Sequence, residues 1–135
     1  MTGPVEVTAS ANVIASQRVI FGPSFEEVPG YPSSALTTDY HWTWYDQKSA
    51  GSTNWVLVAN PGDTQVTYQI KIAGQVMPTT LGNPGTIPAH GKVAPTFPGT
   101  MDGPVEVVSN GGNVIASQRV LWNGFFNEVL GTVLN

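Results

Sequence analysis

The sequence predicts an all-β protein whose strands form an antiparallel sandwich. Short segments in which apolar and polar residues alternate recur along the chain, as they do in strands with one buried face. Turn-forming residues separate these segments, since 15 glycines and 11 prolines occur among the 135 residues. Charged residues make up only 10% of the chain, against roughly 25% in ordinary soluble domains. Together these observations favour a weakly charged β domain with many turns.

The composition excludes several classes of function. The chain has no cysteine, which excludes zinc ribbons, disulfide scaffolds and thiol enzymes. Nine Asp and Glu against five Lys and Arg give a net charge of −4, so we expect no nucleic-acid partner. No apolar run approaches the about 20 residues of a membrane-spanning helix, so we expect no membrane insertion.

An internal repeat dominates the sequence. Residues 1–30 and 101–131 are identical at 18 of 30 aligned positions once one glycine is inserted, and the block NVIASQRV is identical throughout. The period of 100–101 residues is close to the about 100 residues of an immunoglobulin-type sandwich. We therefore predict an immunoglobulin-like β-sandwich built from a repeat of about 100 residues.

Each copy of the repeat contains predicted strands. Residues 5–7 and 105–108 alternate after a Gly-Pro pair, and the strands expected next in each copy are residues 12–21 and 113–122. The Gly-containing cluster at residues 109–112 is predicted to be a hairpin turn between the two strands of the second copy. Near the end of each copy, we expect at most one helical turn, at residues 25–28 and 126–129.

The central part of the chain supplies the remaining elements. Strands are expected at residues 40–45, 55–59, 65–73 and 92–97, with turns at 60–63 and 73–75 and a loop at 82–91. The apolar run 55–59 is predicted to be buried on both sides. In residues 65–73 one face is apolar and consists of Val66, Tyr68, Ile70 and Ile72.

The chain therefore divides into a partial repeat, residues 1–34, and a sandwich body, residues 35–135, which the second copy completes. The surplus copy has two interpretations. The chain is either a piece of a longer tandem array or a fold with two related hairpins, or else one copy is an orphan that pairs with a neighbouring chain. The second interpretation has a physical motive, because a lone hairpin is marginal in water and its open edges recruit strands.

We predict that the chain associates with itself by strand complementation. One copy completes its own sandwich, and the other supplies the same edge to the next subunit, which produces a fibre or array. A self-contained monomer with both end segments docked side by side would contradict this hypothesis. The predicted donor and acceptor edges are apolar residues of the two copies: Val5, Val7, Val13, Ile14, Val19, Val105, Val107, Val114, Ile115 and Val120.

No residue pattern points to catalysis or to a cofactor. His41 and His90 have no second ligand at metal-binding spacing, and no nucleophile motif or phosphate-binding loop is present. We therefore predict that the protein is not an enzyme and has no catalytic, cofactor-binding or metal-binding residues. The recurring pairs Glu6 with Arg18 and Glu106 with Arg119 predict a cross-strand ion pair in each copy.

The aromatic residues support an alternative hypothesis, a carbohydrate-binding or adhesive module. We expect Trp42, Trp44 and Trp55 to fill the core, where large rings bury most surface. The residues left as polysaccharide contacts are Tyr40, Tyr45 and Trp122.

Three segments in order carry a resemblance to a known kind of repeat. They are VANP at residues 58–61, IPA at 87–89 and VIASQRV at 114–120. Their order resembles the tandem β-sandwich repeats of secreted and cell-surface proteins of actinobacteria and Chloroflexi-type bacteria, although Ser-Gln stands at 117–118 where that pattern often has an acid. The resemblance implies an extracellular or cell-surface structural module without catalytic residues. The first four residues lack the features of a signal peptide, so we expect any export signal to lie elsewhere.

Overall fold

A computed structural model describes residues 3–79 and 81–133, and its regular elements are β-strands apart from one 3₁₀ turn at Ser33–Ala35. Of the predicted segments 1–34 and 35–135, Met1, Thr2, Thr80, Leu134 and Asn135 lie outside the described residues. The prediction of an all-β, antiparallel class is confirmed. No helix in the described part of the chain is long and apolar enough to cross a membrane.

The strands follow one another closely along the chain. In order they are β1 (Ser16–Phe21), β2 (Ser24–Pro29), β3 (Asp39–Trp42), β4 (Tyr45–Asp46), β5 (Ser52–Ala59), β6 (Val66–Ile72), β7 (Gln75–Val76), β8 (Gly85–Ile87), β9 (Lys92–Val93), β10 (Met101–Asp102), β11 (Val105–Asn110), β12 (Ile115–Trp122) and β13 (Phe125–Leu130).

Two antiparallel sheets form a sandwich-like arrangement. In one, β11 lies between β3 and β6, and the short strands β7 and β8 both pair with β6. The other has the order β13-β12-β5-β9. Strands β4 and β10 form a small ribbon, and β1 and β2 form a separate hairpin at the N-terminal end.

The core consists of alternate side chains from both sheets. In β6 the buried residues are those predicted from the alternation: Val66, Tyr68, Ile70 and Ile72. In β5, Val56 and Val58 are fully buried, whereas Trp55 on the opposite face is half-buried. The prediction that residues 55–59 are buried on both sides is therefore wrong. Each fully buried aliphatic side chain contributes about 1.5–3 kcal/mol through the hydrophobic effect.

Two predictions about the repeat copies are wrong. Residues 109–112 do not close a hairpin, because β11 and β12 belong to different sheets and this segment, exposed at Asn110 and Gly111, connects them. Residues 25–28 and 126–129 lie in strands β2 and β13 rather than in helical turns. The signal for the second hairpin is the dipeptide Asn123-Gly124, whose φ values of 48° and 86° are those of a type I′ turn.

Candidate assembly surface

The N-terminal and C-terminal copies form hairpins of identical register. Strand β1 pairs with β2, β12 pairs with β13, and each residue pair of the first hairpin recurs 101 residues later in the second. Arg18 lies opposite Glu27, for example, and Arg119 lies opposite Glu128. The two hairpins therefore have the same local structure, and they differ in what surrounds them.

Each hairpin carries one cross-strand ion pair. The Arg18 and Glu27 side chains approach to 3.2 Å, and the Arg119 and Glu128 side chains to 2.7 Å. A hydrogen bond from the Ser16 hydroxyl, with the Arg18 guanidinium, holds the pKa of Glu27 below its usual value. Glu128 is the better shielded of the two acids, since its side chain is 13% exposed against 44% for Glu27.

The ion pairs predicted from the sequence are wrong. Glu106 does not meet Arg119, nor Glu6 Arg18, because the arginines pair with acids of the adjoining strand. Glu106 instead lies 3.0 Å from the Lys71 amine on the neighbouring strand β6. The error follows from the crossing between sheets, which separates β11 from β12.

The second copy is an integral part of the sandwich. We call residues 35–100 the frame, and the place that β11 and β12 fill beside β3, β6 and β5 the slot. Val105, Val107 and Val114 have no exposed surface, and Ile115 and Val120 are half-buried. The predicted edge residues of the second copy are therefore used within the chain.

A polar contact also fixes the second copy in the slot. The buried Gln118 amide donates to the backbone oxygen of Trp44 at 3.0 Å and to Asn54 Oδ1 at 3.1 Å. Buried polar groups that are paired in this way specify one arrangement of the core, because an unpaired one is costly.

The first copy begins with an arm, residues 3–15, that contains no strand. Gly3 lies against the backbone carbonyl of His90, and beyond it the arm is largely exposed. Four predicted edge residues are exposed by more than half: Val5 (80%), Val7 (63%), Val13 (59%) and Ile14 (100%). Val19, the fifth, lies in β1 and is half-buried.

The hairpin of the first copy docks beside the second. Strand β2 runs along the edge of β13, where the Ser24 hydroxyl accepts from the Phe126 backbone nitrogen (3.0 Å) and donates to its oxygen (3.1 Å). The Glu26 carboxylate accepts from the backbone nitrogen of Glu128. These contacts use side chains of β2, and the two strands share no backbone ladder.

Tyr31 completes this docking contact. Its hydroxyl donates to the backbone oxygen of Gly131 at 2.7 Å, and its ring packs edge-on against Tyr40. Burial, with a smaller contribution from Tyr40, raises the pKa of Tyr31 to about 12. Side-by-side docking of the two end segments, the arrangement that argues against the assembly hypothesis, is thus present for the hairpin of the first copy. Residues 5–14 of the arm do not take part in it and are exposed.

A cleft of about 390 Å³ remains between β1 and the outer face of the four-stranded sheet. Its walls are mainly apolar and include Val19, Phe21, Trp55, Leu57 and Leu121. The first hairpin therefore covers this face incompletely.

The aromatic predictions are wrong at four positions, one of which is Trp55, expected in the core but half-buried on the outer face of β5. Tyr40 and Tyr45 are fully buried, and the Tyr40 hydroxyl donates to the backbone oxygen of Val114 at 2.7 Å. Burial raises the pKa of Tyr45 to about 12. Trp44, expected in the core, is 51% exposed. Of the predicted polysaccharide contacts, Trp122 is the one at the surface, at 45% exposure.

Each histidine lies beside a carboxylate. His41 Nε2 is 2.9 Å from Asp39 Oδ1, and His90 Nε2 is 3.0 Å from Asp63 Oδ1. Within residues 3–79 and 81–133, no group of three or more His, Cys, Asp or Glu side chains is arranged to hold a metal ion. The absence of catalytic, cofactor and metal sites stays a prediction from the sequence.

Comparison with protein-family models, curated proteins and solved structures finds no match to this chain. The resemblance to bacterial surface repeats and the location that it implies therefore stay predictions. Function has to be inferred from the geometry of the two copies.

Proposed function

We propose that the protein is a non-enzymatic structural repeat module, an immunoglobulin-like sandwich of an extracellular or cell-surface protein, that associates head to tail by strand complementation. One observation carries the proposal. Val105 and Val107 are fully buried in β11, whereas their equivalents Val5 and Val7 are 80% and 63% exposed. An exposed segment with an alternating apolar pattern is typical of a strand that pairs with a partner.

The residues with which the second copy fits the slot are nearly all present in the first. The buried residues among 101–133 are Val105, Val107, Ser109, Val114, Ala116, Ser117, Gln118 and Gly131. Seven of these eight are identical in the first copy, and only Ser109, aligned with Ala9, differs. Of the other 22 aligned positions (30 − 8), 11 (18 − 7) are identical. Identity is thus concentrated where the copy touches the frame.

The backbone of the first copy offers the matching hydrogen-bond groups. Among the described residues β1 pairs with β2 alone, whereas its equivalent β12 also pairs with β5 along eight residues. An unpaired strand edge is a template on which another strand adds. The edge of β1 is therefore suited to a β5-like strand.

In the proposed assembly, the first copy of one chain enters the slot of the next chain. The arm takes the place of β11 and β1 takes the place of β12, and the second copy of that next chain is released from its own slot. Val5 and Val7 fill the positions of buried valines, and Glu6 meets Lys71. Inside the slot this replacement costs little, because the incoming element makes nearly the same interactions there as the related element that it replaces. The interface joins two different surfaces and does not close, so it produces a fibre or array.

The test is the size distribution of the full chain, measured by light scattering and sedimentation over a range of concentrations. The double variant Val5→Asp/Val7→Asp is expected to abolish species larger than the monomer, because two charges cannot enter the apolar slot unpaired. The matched control Ser10→Asp/Ala11→Asp adds the same charge at arm positions whose equivalents, Asn110 and Gly111, are exposed, and it is expected to assemble normally. A wild-type chain that stays monomeric at all concentrations would refute the proposal.

A further inference from the structure

We propose that the slot can also be filled in cis, by the first copy of the same chain, so that one chain has two mutually exclusive closures. In the closure described above, the slot holds β11 and β12; in the other it holds residues 5–21, and the second copy is released. The inference rests on the duplicated frame-facing residues argued for the proposed function, but it requires no second chain. It amounts to a circular permutation of the sandwich within one molecule.

Closure by the first copy is possible because the second copy leaves the sandwich beside strand β3. Thr132 forms two backbone hydrogen bonds with His41 of β3, at 2.9 and 3.0 Å. The end of the copy therefore lies directly beside the first strand of the frame. A first copy in the slot would bring Tyr31, the residue aligned with Thr132, to this place, and its own chain enters β3 shortly afterwards.

The connection is long enough for this path. Thr37 is held at the slot, since its backbone oxygen accepts from the Val114 nitrogen at 3.0 Å. Thr37 and His41 are four residues apart, about 13 Å along an extended strand. The six steps from Tyr31 to Thr37 reach up to about 20 Å. The chain can therefore turn back from the slot into β3 without moving the frame.

A closely packed glycine position at the end of the second copy also accepts the first copy. Gly131 lies beneath Tyr40 and Trp42, and a Cβ added there would come within 2.7–2.9 Å of their side-chain atoms. The aligned residue of the first copy is Gly30, which likewise has no side chain. The duplication thus extends to a position where a larger residue would not fit, as it also does at Gly103, which lies against the Thr43 backbone oxygen and is aligned with Gly3.

The polar contacts of the slot are duplicated as well. Gln118 donates to Trp44 and Asn54 inside the core, and its equivalent is Gln17. The equivalent of Glu106, the partner of Lys71, is Glu6. A first copy in the slot leaves neither the buried amide nor the lysine without a partner.

The residues that dock the first hairpin in its present position belong to a different set. Ser24, Glu26 and Tyr31 make those contacts, and their equivalents in the second copy are different residues: Phe125, Asn127 and Thr132. Docking and slot filling therefore use separate residues of the same copy. The docked position keeps the first copy close to the slot for which it competes.

The test uses full-length variants and hydrogen exchange followed by mass spectrometry. In Val105→Asp/Val107→Asp, the second copy is excluded from the slot, and we expect the chain to stay folded with protection transferred from residues 105–110 to residues 5–10. Exchange of residues 5–10 should slow by about 100-fold or more, as for amides that become part of a core strand. The matched variant Val5→Asp/Val7→Asp should keep the wild-type pattern, and the variant with all four substitutions should unfold. A Val105→Asp/Val107→Asp chain as unprotected as the fourfold variant would overturn the inference.

A second measurement avoids charged substitutions and separates the inference from the proposed function. A carbodiimide should join Lys71 to Glu106 in the wild-type chain, and the Lys71–Glu6 product should increase by about tenfold or more in Val107→Ala, because the resident closure is weakened. A Lys71–Glu6 product in monomers supports closure in cis even if light scattering finds no assembly. The same product in covalent dimers alone, or no such product, would overturn closure in cis, and the dimers would support the proposed function.

Discussion

The two copies of the repeat show one sequence in two environments. The block NVIASQRV is identical in both, yet Val114 is fully buried in the second copy and Val13 is 59% exposed in the first. The hairpins have the same register and the same Arg–Glu pair. The segment that precedes them is a strand, β11, in the second copy and an arm without a strand in the first. The hairpin register is therefore the same in two different environments, whereas the strand β11 depends on the frame strands on either side of it.

The largest expected difference between the copies concerns the buried valines. Val107→Ala removes two methyl groups from the core and should lower the free energy of unfolding by about 2–3 kcal/mol, from lost burial and the cavity left behind. Val7→Ala changes an exposed residue and should alter stability by less than about 0.5 kcal/mol. Denaturant unfolding of the two variants measures both effects.

Measuring Val107→Ala both in the wild-type chain and in the Val5→Asp/Val7→Asp background tests whether the first copy can replace the second. If the first copy can replace the second, the wild-type chain escapes part of the loss. In the Val5→Asp/Val7→Asp background the escape is blocked, so Val107→Ala should cost more there. Equal losses for Val7→Ala and Val107→Ala would mean that the two copies are equally buried in solution, contrary to the structure.

A second matched pair compares the glycines that end the copies. Gly131→Ala forces a methyl group against Tyr40 and Trp42 and should destabilise the fold by about 1–2 kcal/mol through overpacking. Gly30→Ala meets only Ala15, at an ordinary distance of 3.5 Å or more, and should change stability by less than about 0.5 kcal/mol. Thermal unfolding of both variants measures the difference. A neutral Gly131→Ala would contradict the close packing of Gly131 against Tyr40 and Trp42 of β3.

The fold could be predicted where local patterns determine it. The alternation in residues 65–73 identifies the buried face of β6 correctly, and the Ala73-Gly74 turn follows β6 with φ values of 51° and 76°. The C-terminal hairpin is predictable from local sequence in the same way, because Asn123-Gly124 is a strong turn signal. The helical spacing of nearby apolar residues favoured the wrong interpretation.

Other features depend on contacts between distant parts of the chain. Nothing local distinguishes a Ser109–Gly112 hairpin from a crossing between sheets, so the predicted partners of Arg119 and Glu106 were wrong. The burial of Tyr40 and Tyr45 likewise depends on β11, β12 and the loop before β10, which lie more than 50 residues away. The block NVIASQRV is identical in both copies and lies in two different environments, so no local pattern predicts which copy fills the slot.

The smallest expected effect concerns the docking of the first hairpin through Tyr31. Tyr31→Phe removes the hydrogen bond to Gly131 and should weaken docking by about 0.5–1.5 kcal/mol. The frame and the second copy should keep their stability. Hydrogen exchange should therefore become faster in β1 and β2 and stay unchanged in β12. Faster exchange in β12 as well would mean that docking of the first hairpin supports the whole sandwich.

Docking of the first hairpin through Tyr31 should weaken at high pH. Burial raises the pKa of Tyr31 from 10.0 to about 12 in the docked state, so docking favours the neutral phenol. Its contribution is complete below pH 10, decreases as the released phenol ionises, and is lost as the pH rises through about 12. Hydrogen exchange, corrected for the base-catalysed intrinsic rates, measures the docking of the first hairpin over this pH range. Docking should weaken more in the wild-type chain than in Tyr31→Phe. Tyr40, Tyr45 and Tyr68 are present in both chains and also have raised pKa values, so the difference between the two chains isolates Tyr31. An identical alkaline response would show that the Tyr31 hydroxyl does not hold the hairpin against β13.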